Sequence, residues 1–506
     1  MEYWDVLQWT IAAAILRCIV VWSYRATLHP LRKFPGPVLA SLTEWYGAYH
    51  AFCLRVHLTA YDNHQRYGNV VRSAPNKLIF NTAQAVTDIY HNERLIKARD
   101  YMVTSITGNY SVFTAHDKRV HSHKRKLVGK AISEKSMREF EPIMVHHVNV
   151  LMQQLEWSRQ NEAFTDMTTY IKRFGFDVVS DLGFGESLNL QTDPKYRFIM
   201  WWMQIFEVRN NTALQAPTFV WTGVDIPLFF LKLFRGNKFL QMIQGLTNRR
   251  QERGIKSRDD FFAYMMDSKN PITGKDTSMK EFLEEALFFF PAGGDTISGA
   301  LCALFFYLSR NPKCYRKVTE EIRTTFETEA DVCSGSKLSS CKYLRACLDE
   351  SLRLASPVAG TLWRELPSTD NAPFIVDGHV IPKGTLVGVN TYSIHHNPDY
   401  YPDPFTFKPE RWFSDKQGDM YTAFIPFSTG SRSCAGKAMA YMEASIALSR
   451  ILMKYEFESA DGTKRNVGGG SGRSGERRGR REEYQIYDHF SSSHFGPNLR
   501  LRLRNM

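Results

Sequence analysis

Near its C-terminus the chain reads Phe427-Ser-Thr-Gly-Ser-Arg-Ser-Cys-Ala-Gly436, a cysteine placed just before a run of helical period, Ala435 to Lys454. A sulfur there can be held as an anion, because a helix N-terminus and its free backbone N–H groups stabilise negative charge. Most free cysteines are only small buried hydrophobes. This one lies in a pattern, F-x-x-G-x-R-x-C-x-G, matched at every fixed position, which ordinary residue frequencies produce about once in several thousand chains of this length. A second group, Ala292-Gly-Gly-Asp-Thr296, follows Leu287-Phe-Phe-Phe290 and Pro291. Each glycine costs about 1 kcal/mol in a helix interior relative to alanine, and the proline removes a ladder hydrogen bond. A local opening or a close ligand approach is therefore expected, although a simple kink would read the same way. Asp295 and Thr296 pair a titratable group with a hydroxyl, as a proton relay requires. A third group, Glu350-Ser-Leu-Arg353, puts opposite charges on one helical face, a spacing that is often just a surface ion pair.

Taken together these motifs resemble the cytochromes P450, and the resemblance spans residues 29 to 506. It implies that Cys434 is the axial ligand of haem iron, with the thiolate pushing electron density toward bound oxygen. It also implies that Phe427 shields the sulfur, that Gly430 makes a tight turn and Gly436 a close backbone approach, and that Arg432 pairs with a haem propionate. Arg364, in Pro357-Val-Ala-Gly-Thr-Leu-Trp-Arg364, matches a second propionate-binding arginine. His121 and Arg125 are further cofactor-binding candidates, His121 standing where many relatives have tryptophan. Glu350 and Arg353, with Arg411 of Pro409-Glu410-Arg411-Trp412, are expected to form a buried triad that locks the core around the cysteine loop. Such a triad is an assembly device more than a source of net stability. Asp295 and Thr296 become the catalytic proton relay. The family often has Ser or Thr next, where this chain has Ile297.

The elements that must position these groups follow from pattern and composition. Of 506 residues, 43% are hydrophobic and 23% charged, which suits one large folded enzyme domain and excludes global disorder. The formal net charge is +12, from 64 basic and 52 acidic residues. That excess points to an anionic membrane surface or an acidic protein partner, and nucleic acid is not expected. The eight cysteines form no C-x-x-C pair or regular framework and read as reduced thiols. Residues 1–25 are expected to be a transmembrane anchor, with Val6–Trp22 apolar and Arg25, Arg32 and Lys33 following on the cytosolic side. Residues 26–37 form a proline-rich hinge and residues 38–506 the haem domain. Strands are expected at Asn69–Ser73 and Leu78–Asn81, and helices at Met137–Trp157, Phe164–Leu182 and Met279–Ser309. The fold class is mainly α with minor β. Residues 464–483, which include Val467–Arg481 with its many Gly, Ser and Arg residues, read as a flexible insertion.

The function this implies is monooxygenation of a hydrophobic small molecule, with haem b as cofactor, O2 as oxidant and electrons from NADPH through NADPH-cytochrome P450 reductase. Cytochrome b5 is a second candidate donor. The basic face of Lys124, Lys126 and Lys130 is the expected docking surface for an acidic donor. The substrate cavity is expected from Tyr101–Phe113, Met200–Phe234, Phe288–Phe290, Val358, Ala359 and Gly360. The phrases His29–Ala40 and His395–Phe413 most resemble fungal microsomal members of secondary metabolism, in the endoplasmic reticulum membrane with the catalytic domain cytosolic. Rivals are a haem-thiolate isomerase, dehydratase or peroxygenase needing no reductase, and a non-catalytic haem sensor or carrier.

Overall fold

A 32-residue helix, Met279–Arg310, runs through the centre of the molecule. It starts at a capping box in which Ser278 accepts from the Glu281 backbone N–H and the Glu281 carboxylate accepts from the Ser278 N–H. From Leu301 to Leu308 every residue is buried, so the helix is apolar all round because protein surrounds it. A computed structural model describes residues 2–254, 260–413 and 418–504, apart from the side chains of residues 2, 226–237 and 240. The elements that matter for the site are α1 (Glu2–Thr27), α2 (Lys118–Ala131), α3 (Glu134–Asn161), α4 (Met167–Phe184), α5 (Phe198–Gln215), α6 (the central Met279–Arg310), α7 (Lys342–Leu354) and α8 (Lys437–Lys454). The sequence-based helices fall within a few residues of these bounds.

The sheets are small. β1 (Val70–Ala74) and β2 (Lys77–Phe80) form a hairpin, β3 is Ile96–Lys97, β4 is Arg364–Glu365 and β5 is Leu386–Val389. They join in the order β1-β2-β5-β4-β3, with β2 and β5 parallel and the other pairs antiparallel. The antiparallel register of β3 on β4 sets Lys97 opposite Arg364. A three-stranded sheet is formed by Thr165–Asp166, Asn498–Leu503 and Tyr455–Ser459, in that order.

α4 and α6 approach closely because glycines remove the side chains between them. A Cβ on Gly294 would lie 2.7 Å from the Phe176 ring, one on Gly175 would lie 2.6 Å from Ile297, and one on Gly293 would fall inside Val179. α6 continues unbroken through Pro291. The glycines expected to open the helix thus serve largely to seat it on α4, while Ile297 is buried in that seam.

α1 stands free of the body, with its apolar side chains exposed, and is long and apolar enough to cross a membrane. The segment expected to be a hinge is instead docked. Pro30–Lys33 forms a 3₁₀ turn with proline at its start, Leu31 and Phe34 are buried, and the Arg72 N–H donates to the Pro35 carbonyl at 2.8 Å. Residues 464–483 also depart from expectation. Backbone bonds close the segment on itself, from Gly470 N to Arg480 O and from Ser471 N to Arg478 O. Arg478 donates to Ile486 O at 2.7 Å and Leu54 O at 2.9 Å, and Arg477 pairs with Asp62 at 2.7 Å. Arginines that find buried carbonyls and a carboxylate pin a glycine-rich loop that has no core of its own.

Candidate active site

The cysteine loop is shaped by its own backbone. Cys434 N–H donates to Phe427 O at 2.8 Å and Ser433 N–H to Gly430 O at 3.1 Å. Gly430 has φ +72°, and a Cβ there would collide with the Tyr90 carbonyl, so only glycine fits. Gly436 directly precedes α8. Cys434 is exposed and lines a cavity of about 360 Å³. Desolvation pushes its thiol pKa up, while the N–H groups of Gly436 and Lys437 and the charges of Arg125 and Lys437 pull it down. Phe427 lines the same cavity and packs on Tyr441 with ring centroids 5.2 Å apart.

Five basic side chains converge on this cavity: Lys97, His121, Arg125, Arg364 and Arg432. Arg125 donates to Ser433 O at 2.6 Å and Arg432 to Ala115 O at 2.9 Å, so both are braced by carbonyls. Lys97 donates to Val112 O at 3.0 Å and Phe113 O at 2.7 Å. Among the described residues, no carboxylate forms an ion pair with Lys97, Arg125, Arg364 or Arg432. Burial, followed by the positive charge of Lys97, Arg432, Arg125 and Arg364, pushes His121 down to about 3. Burial and Arg364 likewise push Arg432 down to about 10. Like charges directly opposite across a sheet, as Lys97 and Arg364 are, destabilise it unless an anion lies between them.

On α6, Thr296 faces the cavity and its hydroxyl donates to Ala292 O at 2.7 Å. Asp295 turns the other way. It is 4% exposed, Oδ1 accepts from Lys172 Nζ at 2.7 Å, and Oδ2 has no hydrogen-bonding partner among the described residues. The expected acid–alcohol pair is therefore split between the cavity and the helix interface behind it. The cavity is otherwise strongly aromatic: Phe113 stacks on Phe288 at 4.9 Å and meets Phe490 edge-on at 5.0 Å. Phe490 holds φ +93°, a conformation that costs a bulky residue about 1–3 kcal/mol and that here accompanies its place against Phe113.

A family model described as Cytochrome P450 matches residues 43–469. A cytochrome P450 monooxygenase of Penicillium oxalicum, poxM, is 35% identical over 95% of this chain and 91% of its own length. AKT7 of Alternaria alternata is 35% identical over 95% of this chain and 94% of its own, and apf7 of Gibberella fujikuroi 33% over 96% of both. The chain belongs to the cytochrome P450 family. A P450 implies haem, and the residues present fit one: an accessible sulfur on one side of the cavity, and a cationic rim whose missing counter-charge two propionates would supply. Cys434 would hold the iron; Arg125, Arg364, Arg432, Lys97 and His121 would hold the carboxylates.

In this P450 the Glu350 carboxylate is fully buried and accepts five donors: Arg353 Nη2 at 2.8 Å, Arg353 Nε at 3.0 Å, Arg411 Nε at 3.0 Å, Trp412 Nε1 at 3.1 Å and Lys408 N at 3.1 Å. Arg353 continues to His395 O at 2.7 Å and Pro404 O at 2.8 Å. His395 Nδ1–H donates to Arg353 O, and its Nε2 accepts from Ile425 N–H at 2.9 Å, two residues before Phe427. The triad thus reaches the cysteine loop through a histidine that sequence reasoning missed.

The cavity walls differ from expectation in part. Tyr101, Phe113, Phe288, Phe289 and Val358 line it. Phe290 packs away against Phe184 at 5.3 Å, Ala359 lies in the core, and Gly360 faces Asp488. From the Met200–Phe234 stretch, Phe206, Glu207, Asn210 and Leu214 reach it, while the side chains of residues 226–234 lie outside those described. Lys97 and Phe490 were not foreseen. Lys124, expected on the docking face, is buried against Glu285 at 2.9 Å, which leaves Lys126 and Lys130 exposed.

Proposed function

We propose that this P450 is a membrane-anchored, reductase-driven monooxygenase that inserts one oxygen atom of O2 into an apolar small molecule by hydroxylation, epoxidation or a related oxidation. The observation that carries the reading is the meeting, in one aromatic cavity, of an accessible cysteine sulfur, a cationic rim without carboxylate partners and a threonine hydroxyl on the central helix. Bound haem b with a thiolate ligand supplies the electron density that favours O–O cleavage. The Gly436 and Lys437 N–H groups and Arg125 would favour negative charge on the Cys434 sulfur against the opposing effect of its burial. Thr296 orients a proton donor at the cavity wall. Asp295 keeps a carboxylate one residue behind it, paired with Lys172 at 2.7 Å. Phe113, Phe288 and Phe490 exclude water from the substrate.

Electrons come from NADPH through NADPH-cytochrome P450 reductase, with cytochrome b5 as a second donor, and Lys126 and Lys130 offer the basic contact. α1, exposed and apolar, with Arg25 in its last turn and Arg32 and Lys33 following, supports a single-pass anchor in the endoplasmic reticulum with the domain in the cytosol. The fungal relatives favour a substrate of secondary metabolism. The test is Thr296→Ala in holoenzyme supplied with reductase and NADPH. Haem is retained, peroxide per NADPH rises, and positioned proton transfer worth about 10²–10⁴-fold is impaired. Full coupling in the variant, or turnover without a reductase, would hand the protein to the isomerase or peroxygenase reading.

A further inference from the structure

Two carboxyl groups line the cavity, and they differ in what they do. Glu284 is fully employed: it accepts from Ile106 N–H at 3.2 Å, Thr107 N–H at 3.0 Å and the Thr107 hydroxyl at 2.8 Å, and so ties down the 105–109 loop. Glu207, on α5, is 6% exposed and lines the cavity, yet among the described residues its carboxyl has no hydrogen-bond or ion-pair partner. Lys172, a cation near it, is committed to Asp295 at 2.7 Å. Asn210 stands one turn further along α5, also on the cavity wall, with its side-chain oxygen engaged by Arg209 at 3.1 Å.

A buried, unpartnered polar group costs about 1–3 kcal/mol, and a leucine at this position would fill the same wall without that cost. In a ligand site lined by aromatic rings, a lone polar group of this kind fixes orientation and selects the ligand that satisfies it. We propose that Glu207 is a specificity-determining residue whose carboxyl hydrogen-bonds a carbonyl or hydroxyl oxygen on an otherwise apolar substrate. The inference deepens the monooxygenase reading of this cavity and rests on it. Burial raises the group well above the ordinary carboxylate range, which favours the protonated form that can donate. Asp295 and Asp488 push the same way and Lys172 opposes them. A neutral donor in an aromatic cage takes an uncharged acceptor; a cationic substrate would need the ionised form.

The experiment is an optical titration of the haem Soret band in holoenzyme with three probes of one chain length: n-decane, 2-decanone and decyltrimethylammonium. Glu207→Leu should weaken 2-decanone binding about threefold to tenfold relative to n-decane, the worth of one hydrogen bond. Glu207→Gln, which retains an N–H donor and the side-chain length, should keep the ketone preference. An unchanged ketone-to-alkane ratio in Glu207→Leu overturns the proposal. So does a wild-type preference for the quaternary ammonium that vanishes in Glu207→Leu, since that is the mark of an ionised carboxylate. The reduced carbonyl spectrum is recorded for each protein. A missing thiolate band in the wild type sinks the monooxygenase reading and the proposal with it, whereas an intact band with the wrong probe ranking sinks the proposal alone.

Discussion

Replacing Glu350 by glutamine changes a few atoms and should cost much of the stability of the protein. The carboxylate accepts five donors through two oxygens and carries the counter-charge for two guanidinium groups, with no exposure to solvent. In the amide, one oxygen can still face Lys408 N, Arg411 Nε and Arg353 Nη2. The NH2 group must then face Arg353 Nε–H and Trp412 Nε1–H, donor against donor. Removing one partner of a buried ion pair costs about 3–5 kcal/mol, against a total stability of about 5–15 kcal/mol for a native protein. The same change at Glu410, whose carboxylate is 40% exposed in its pair with Lys317, should cost about 0–1 kcal/mol. The assay is urea unfolding followed by tryptophan fluorescence at matched haem occupancy, comparing midpoints at unchanged slope. Haem incorporation should fall with stability, because Arg353 and His395 connect the carboxylate to Ile425. A loss below about 1 kcal/mol for Glu350→Gln would refute the claim that this carboxylate holds the cysteine loop in place.

Other outcomes follow from the same geometry. Cys434→Ser should abolish the strongly red-shifted absorption of the reduced carbonyl complex, whereas Cys302→Ser and Cys347→Ser should keep it, as those thiols lie in the core. Gly294→Ala should destabilise by about 1–3 kcal/mol, measured as a fall in Tm, because its Cβ would stand 2.7 Å from Phe176. Arg478→Ala should cost about 1–3 kcal/mol, since the Ile486 carbonyl loses its arginine donor and the Leu54 carbonyl keeps only the Asp488 N–H; Arg473→Ala, at an exposed position, should cost nothing measurable. Acidification should weaken the protein through His395, which burial and Arg353 push down to about 3. Below the ordinary value of 6.5 the unfolded chain binds a proton that the folded imidazole refuses until about 3. Stability therefore falls with pH in that window, by about 1.4 kcal/mol per unit for each such group. His395→Asn should flatten this slope in pH-dependent unfolding.

Much of the site was legible because it is local. The residues from Phe427 to Gly436 form one loop, Glu350 and Arg353 share one turn, and the long helices end within a few residues of their expected bounds because apolar period and caps are nearest-neighbour signals. What escaped depends on distant contacts. Lys97 joins the cationic rim only because β3 pairs with β4, which brings it opposite Arg364. Asp295 turns from the cavity because Lys172 waits on α4, and Lys124 leaves the surface because Glu285 does the same on α6. Glu207 falls in the stretch expected to line the cavity, but nothing local marks it as the residue whose carboxyl stands without a partner there. The 464–483 segment read as flexible from its glycines, yet carbonyls at Leu54 and Ile486 capture Arg478, and no composition rule announces such a capture.

The glycine seam between α4 and α6 also bears on how such an enzyme can change. The cavity wall at Gly293 is the back of a joint in which a Cβ on Gly293 strikes Val179 and one on Gly294 strikes Phe176. Mutation can hardly redraw that wall without unseating the central helix. New substrates must therefore be admitted by the opposite side, at Tyr101 to Phe113, along the α5 face bearing Phe206, Glu207 and Asn210, and at Phe490 and Ser491. In a lineage descended from this protein, those segments would be the ones to drift, while the floor beneath them stays as it is.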